Sequence, residues 1–206
     1  MALLSTFSRR DFSLALAATA VMAAAPAWAQ GDPAVATVQG FYDALVAQMK
    51  KGGAAKPRYE MLKPAVEKAF DLAGMTAVAV GPGFAALSEA DKKALIDAFG
   101  RMTIANYVKN FDSFGGEKFT VEPAAVARPP STDKLVKSAL KSGADTIPFN
   151  YRMHDVGGSW KIEDIYLNGN ISQMAQRRSD FSATFAQSGA AGLTKKINAL
   201  SDQMLA

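Results

Sequence analysis

Gly157–Phe181, GGSWKIEDIYLNGNISQMAQRRSDF, is the stretch that decides the fold. Its first half alternates as a strand does, with Trp160, Ile162, Asp164 and Tyr166 on one face and Lys161, Glu163, Ile165 and Leu167 on the other. Asn168-Gly169-Asn170 supplies a turn, and a helix follows it. The segment contains no nucleophile with a base beside it, no metal-ligand cluster and no glycine-rich phosphate cradle. It reads as a wall, and its use depends on what it encloses.

Upstream of this wall the same period-2 pattern recurs. Lys118–Ala127, Lys134–Leu140, Thr146–Val156 and Ser159–Leu167 read as four strands. Pro129-Pro130-Ser131, Ser142-Gly143-Ala144 and Gly157-Gly158 join them by short links, which favour an antiparallel meander. Earlier still, the period is helical. Pro33–Lys51 carries Val35, Val38, Tyr42, Leu45 and Met49 at helical spacing and stops at Gly52-Gly53. Tyr59–Leu72 reads as a second helix, and Gly74–Gly83 as a loop or short helix. Ser88-Glu89-Ala90-Asp91 is an N-cap signature opening a long helix through Phe111. Gln173–Gln187 and Ala190–Met204 close the chain as two helices. This order predicts an α+β fold, with helices packed on one face of a curved four-stranded antiparallel sheet.

Composition removes several functions. The 206 residues suffice for one domain with an ordinary core. No cysteine is present, which excludes disulfides, thiolate catalysis and cysteine-ligated metals. A single histidine, His154, leaves little for a metal centre or a catalytic triad. With Asp155, it is expected in a surface turn, and the methionines show no metal-binding spacing. Neither a cofactor nor a metal is expected. Residues 1–29 read as an export signal: Arg9-Arg10, an apolar run from Phe12 to Ala25, and the small-x-small site Ala27-Trp28-Ala29. Ser8–Phe12 resembles the twin-arginine motif. Residues 30–206 then form one mature domain. Losing Arg9, Arg10 and Asp11 leaves 21 basic and 18 acidic residues, a net charge of +3. The bases are scattered beside acids and amides without interleaved aromatics, which argues against nucleic acid and for anionic lipid or an acidic partner.

Phe70–Val121 (FDLAGMTAVAVGPGFAALSEADKKALIDAFGRMTIANYVKNFDSFGGEKFTV) and Trp160–Phe181 resemble the MlaC-type, or toluene-tolerance, family of periplasmic lipid-shuttle proteins. Phospholipid-carrying members follow the strand with Gly-Val-Ser and a Tyr-Arg-Ser-x-Phe run. Here those places hold Gly169-Asn170-Ile171-Ser172 and Arg177-Arg178-Ser179-Asp180-Phe181. The form Ala175–Phe181 is more similar to the branch associated with hopanoid biosynthesis, the HpnM proteins. The resemblance implies a cone-like fold related to the nuclear-transport-factor-2 shape, enclosing an apolar cavity. It also implies a non-enzymatic periplasmic carrier that exchanges lipid with a membrane-bound lipid transporter in the inner membrane. The cargo it implies is a hopanoid-type lipid first, with a phospholipid carrier of an ABC-type transport system as the alternative.

Such a carrier needs no reactive group. Burial yields about 0.8 kcal/mol per methylene, so a ~16-carbon chain supplies roughly 13 kcal/mol before ordering costs. Aromatic and methionine side chains suit an irregular ligand. The candidate lipid-binding set is Phe70, Met75, Phe84, Phe99, Tyr107, Phe111, Phe149, Tyr151, Trp160, Ile165, Leu167, Ile171 and Phe181; taken singly each reads first as a core residue, and the set carries more weight than any member. Arg177-Arg178 reads either as a head-group contact or as a solvated surface pair with Asp180. The rival of another class is an isomerase-like enzyme in the same cone, which would use a tyrosine and a carboxyl group in an apolar pocket. Tyr107 with Asp112, or Tyr151 with Asp164, are the pairs available to it.

Overall fold

A computed structural model describes residues 31–206, so the export signal expected over residues 1–29 lies outside the described residues. Helix α1, Pro33–Lys51, begins where Asp32 accepts the Ala34 N–H at 3.0 Å. It ends at Gly52, whose φ of +59° suits glycine. Helix α2, Ala55–Ala69, starts and stops earlier than its apolar spacing suggests. Phe70 leaves the helix to form a parallel bridge with Ile162, and the Asp71 N–H bonds the Ile162 carbonyl at 2.9 Å. Asp71 then caps the short helix α3, Leu72–Val80, by accepting the Gly74 N–H. Helix α4, Glu89–Asn110, is capped by Ser88 through the Asp91 N–H, as its signature predicts.

The sheet has seven strands, not four. They are β1 (Lys118–Val121), β2 (Val126–Ala127), β3 (Lys134–Val136), β4 (Ser138–Ser142), β5 (Asp145–Val156), β6 (Ser159–Leu167) and β7 (Ile171–Ser172). The four expected paths are there, but two of them break. The first parts around Pro123, which has no N–H to donate to a ladder. The second parts at Lys137, whose carbonyl turns aside to accept the Glu122 N–H. The twelve-residue β5 stays whole and pairs with β3 at one end and β4 at the other. Short β7 extends β6 after the turn at Asn168 and Gly169, both with positive φ. All strand pairs are antiparallel.

A bulge in β6 corrects the expected alternation. Met153 lies opposite Ile162 and Arg152 opposite Asp164, which leaves Glu163 as the extra residue. Met153 and Tyr151 share a face of β5, so their partners Ile162 and Ile165 share one on β6. Ile165 and Leu167 therefore join Trp160 and Ile162 on the inner side. His154 is likewise a strand residue rather than part of a turn. Its Nε2 lies 3.0 Å from Asp71 Oδ2, while Asp155 accepts the Gly158 N–H in the turn itself.

Helix α5, Gln173–Leu205, packs on α3 and α4 and closes the far side. Gly189, at φ +61° and ψ −163°, divides it into the two arms expected from the sequence. Phe41 and Tyr42 of α1 meet Phe70, Tyr107, Phe119 and Tyr151 in an aromatic core between helices and sheet.

Candidate lipid-binding cavity

A cavity of about 370 Å³ lies between α4, the end of β6 and the start of α5. One face of α4 supplies Phe99, Met102, Thr103, Asn106, Tyr107 and Asn110, and Phe111 follows at the helix end. Those positions recur at three and four residues, which places them on a single stripe. Met75 enters from α3, Phe149 from β5, and Ile165 and Leu167 from β6. Gln173, Met174 and Arg177 enter from the first two turns of α5. Met75, Phe99, Met102 and Met174 are buried and form the depth. Thr103, Asn106, Asn110, Gln173 and Arg177 form a polar rim. The volume falls at the lower end of small-molecule sites, roughly 300–1,000 Å³.

Two interior polar devices hold this geometry. Asp164 is buried, and its carboxylate accepts the Ile165 N–H at 2.7 Å, the Ser172 hydroxyl at 2.6 Å and the Met174 N–H at 3.1 Å. It thereby fixes the strand carrying Ile165 and Leu167 to the helix carrying Met174 and Arg177. At the other wall, buried Arg58 donates to the Val108 carbonyl at 2.7 Å, close to where α4 ends. Tyr107 in the cavity wall is backed by two further tyrosines, Tyr42 and Tyr151. Burial pushes the Tyr42 hydroxyl up to about 12, although its 2.6 Å contact with Ser138 Oγ partly offsets this. Burial drives Tyr107 and Tyr151 further above the usual phenol range, so all three hydroxyls stay protonated at neutral pH.

The cavity brings together Met75, Phe99, Tyr107, Phe111, Phe149, Ile165 and Leu167 from the candidate set. Phe70, Tyr151 and Phe181 are packed into the solid core instead. Phe84 packs at the margin of the core, in a single 3₁₀ turn, Pro82–Phe84. Trp160 lines a separate groove of about 360 Å³ with Phe41 and Thr37, beneath the Lys134 ammonium at 4.6 Å. Ile171 is 45% exposed, because β7 sits outside the cavity beyond Leu167. Sequence reading passed over Met102, Thr103, Asn106, Asn110, Gln173 and Met174. The spacing of Phe99, Tyr107 and Phe111 on α4 carries a usable signal for the first four, but Thr103, Asn106 and Asn110 interleave with the apolar positions and are polar.

Neither tyrosine–carboxyl pair forms. Asp164 lies opposite Arg152 on the reverse face from Tyr151, and its oxygens are engaged by the three donors above. Asp112 is exposed beyond the end of α4 and bonds Ser113. Among the described residues there is no group of three or more acids and histidines able to hold a metal ion, and no helix is long and apolar enough to cross a membrane.

Fold and cavity thus define a class: an α+β shell around an apolar pocket with a polar rim. The sequence profile of the MlaC protein family matches residues 36–199, and the chain belongs to that family. A solved structure with the same fold is the phospholipid-binding protein from Ralstonia solanacearum, determined in complex with a phospholipid. The two chains are 19% identical, superpose with a TM-score of 0.73, and the match covers 84% of this chain and 99% of the other. No curated protein sequence matches the chain.

Proposed function

We propose that the mature protein, residues 30–206, is a single-domain periplasmic lipid carrier that encloses acyl chains in the α4–β6–α5 cavity. The observation that carries this reading is the cavity's make-up: a methionine- and aromatic-lined depth, a polar rim, and no acid among its lining residues. An apolar chain entering it gains roughly 25 cal/mol for each Å² removed from water, which needs no chemistry at the site. Met75, Met102 and Met174 can repack around chains of different shape. Phe70, Tyr151 and Phe181 support the wall rather than touch cargo. Membership of the MlaC family supports the carrier role, and the lipid in the Ralstonia protein supports phospholipid as cargo. The hopanoid alternative is supported by the Ala175–Phe181 resemblance to the HpnM branch alone. The carrier would leave the cytoplasm by a leader cleaved after Ala29 and exchange lipid with an inner-membrane transporter. It would turn over no substrate.

Mass spectrometry of lipid extracted from natively purified protein tests the proposal. Phospholipid bound near one molecule per chain is expected, whereas a hopanoid in its place would select the second cargo. Washed, monodisperse protein that holds no lipid and takes none from vesicles would overturn the carrier reading.

A further inference from the structure

The rim of the cavity has a charge and a hydrogen-bonding polarity that burial of tails does not explain. Arg177 is the only ionisable group with a charge at neutral pH among the lining residues, and its side chain is 27% exposed. Its acidic neighbour is Asp180, with Nη1 and Oδ2 3.6 Å apart, beyond hydrogen-bond length, and that carboxylate is 46% exposed. Among the described residues, none of Arg177's five N–H donors makes a hydrogen bond. The adjacent Arg178 is used differently, lying over Gly81 where α3 ends. Around Arg177 the rim offers only neutral acceptors, and part of that capacity is already used. Asn106 Oδ1 already accepts from Asn110 Nδ2 at 3.0 Å, and the Thr103 hydroxyl is turned back onto the Phe99 carbonyl at 2.9 Å. The mouth also sits over the first turns of α5, the positive end of that helix.

We infer that Arg177 is the specificity-determining residue of the cavity and selects lipids whose head carries a phosphate. The inference rests on the carrier reading above. A guanidinium fork matches the two free oxygens of a phosphodiester, which would occupy the N–H donors that the exposed Asp180 carboxylate, 3.6 Å away, leaves unbonded. The half-buried mouth strengthens that pairing relative to open water. A neutral polyol or hydroxyl head would leave the guanidinium only the distant, exposed Asp180 carboxylate while taking away part of its hydration.

The test uses mature protein stripped of lipid, and vesicles doped with phosphatidylglycerol, phosphatidylcholine or diacylglycerol of identical tails. Both phospholipids are expected to load, and diacylglycerol to bind at least tenfold more weakly, the ratio expected for losing one hydrogen bond to a charged group. Arg177→Gln should collapse that preference, with thermal unfolding confirming an intact fold, while Arg178→Gln should retain it. Glycerol 3-phosphate, which has the head but no tails, should not displace bound lipid. If it does, the phosphate site serves a free solute rather than a lipid head. Equal loading of diacylglycerol and phospholipid by the parent protein would overturn the role of Arg177 and leave the carrier reading standing. So would equal losses for all three lipids in a folded Arg177→Gln. Failure of every lipid to load would instead strike the carrier reading itself.

Discussion

Arg58→Met is the substitution whose outcome most directly probes how the cavity wall is held. Arg58 is 5% exposed and, among the described residues, has no acidic partner. Its guanidinium is surrounded by carbonyl oxygens instead. Nε donates to Gly53 at 3.1 Å, and Nη1 to Val108 at 2.7 Å, with longer contacts to Gln48 Oε1 at 3.3 Å and the Phe111 carbonyl at 3.4 Å. These oxygens belong to the C-terminal ends of α1 and α4, where carbonyls lack helical partners and the helix dipoles are negative. Replacing a buried ion pair with apolar residues is often neutral, because both charges leave together. Here only the cation would leave. Phe111 keeps its 2.7 Å bond from Gln48 Nε2, and Gly53 can turn to water, but the Val108 carbonyl, and with it the weakly bonded Oε1 of buried Gln48, is left without a donor. An orphaned buried acceptor costs about 1–3 kcal/mol. The lost charge–dipole contact adds roughly 0.3–2 kcal/mol, and recovered desolvation takes some of the sum back. A net loss of about 2–4 kcal/mol converts to a Tm lower by roughly 4–16 °C for a domain of this size. Thermal unfolding followed by circular dichroism measures it, and lipid loading should fall with it, since Tyr107 and Phe111 flank the freed helix end. Arg58→Lys should recover part of the loss, because one ammonium cannot reach both helix ends. A Tm within about 1 °C of the parent for Arg58→Met would refute the capping argument.

Ile165→Arg should abolish lipid loading and Tyr166→Arg should spare it in protein that keeps its far-ultraviolet spectrum. Ile165 lines the cavity, whereas Tyr166 lies on the reverse face beneath Arg128, so equal loading by both variants would mean that β6 does not line the site. In alkali the unfolded chain releases tyrosine protons near pH 10, while folded Tyr42 holds its proton to about 12, with Tyr107 and Tyr151 also raised. Their stabilisation is complete below about pH 10 and is lost above it at about 1.4 kcal/mol per pH unit per tyrosine. Tm should therefore drop steeply between about pH 10 and 12, and a flat profile would contradict the burial of these hydroxyls. Transfer of lipid to anionic vesicles should slow as salt rises while bound lipid stays in place, since screening acts within about 8 Å at physiological ionic strength and apolar burial is not weakened. Transfer rates that stay flat across salt would leave the basic surface without a role.

Features encoded within a few residues of one another were legible in the chain itself. The Ser88 cap of α4, the glycine stop of α1, the break at Gly189 and the strand Ser159–Leu167 all depend on local backbone preference and short-range hydrogen bonds. The order of helices, strands and helices follows from the same local signals. What the tertiary structure decided depends on partners far along the chain. The Glu163 bulge exists only through pairing with Arg152 and Met153, and it alone turns Ile165 to the same side as Ile162. The early end of α2 comes from a bridge to Ile162, some ninety residues away in sequence. Arg58 reads as an ordinary helix cation until the ends of α1 and α4 converge on it. The rim is the same case. Asn106 and Asn110 look like solvent-facing residues, and Arg177 reads as either a head-group contact or a surface pair with Asp180, because a sequence records which side chains are polar but not which void they border. That void forms only when α4, β6 and α5 meet.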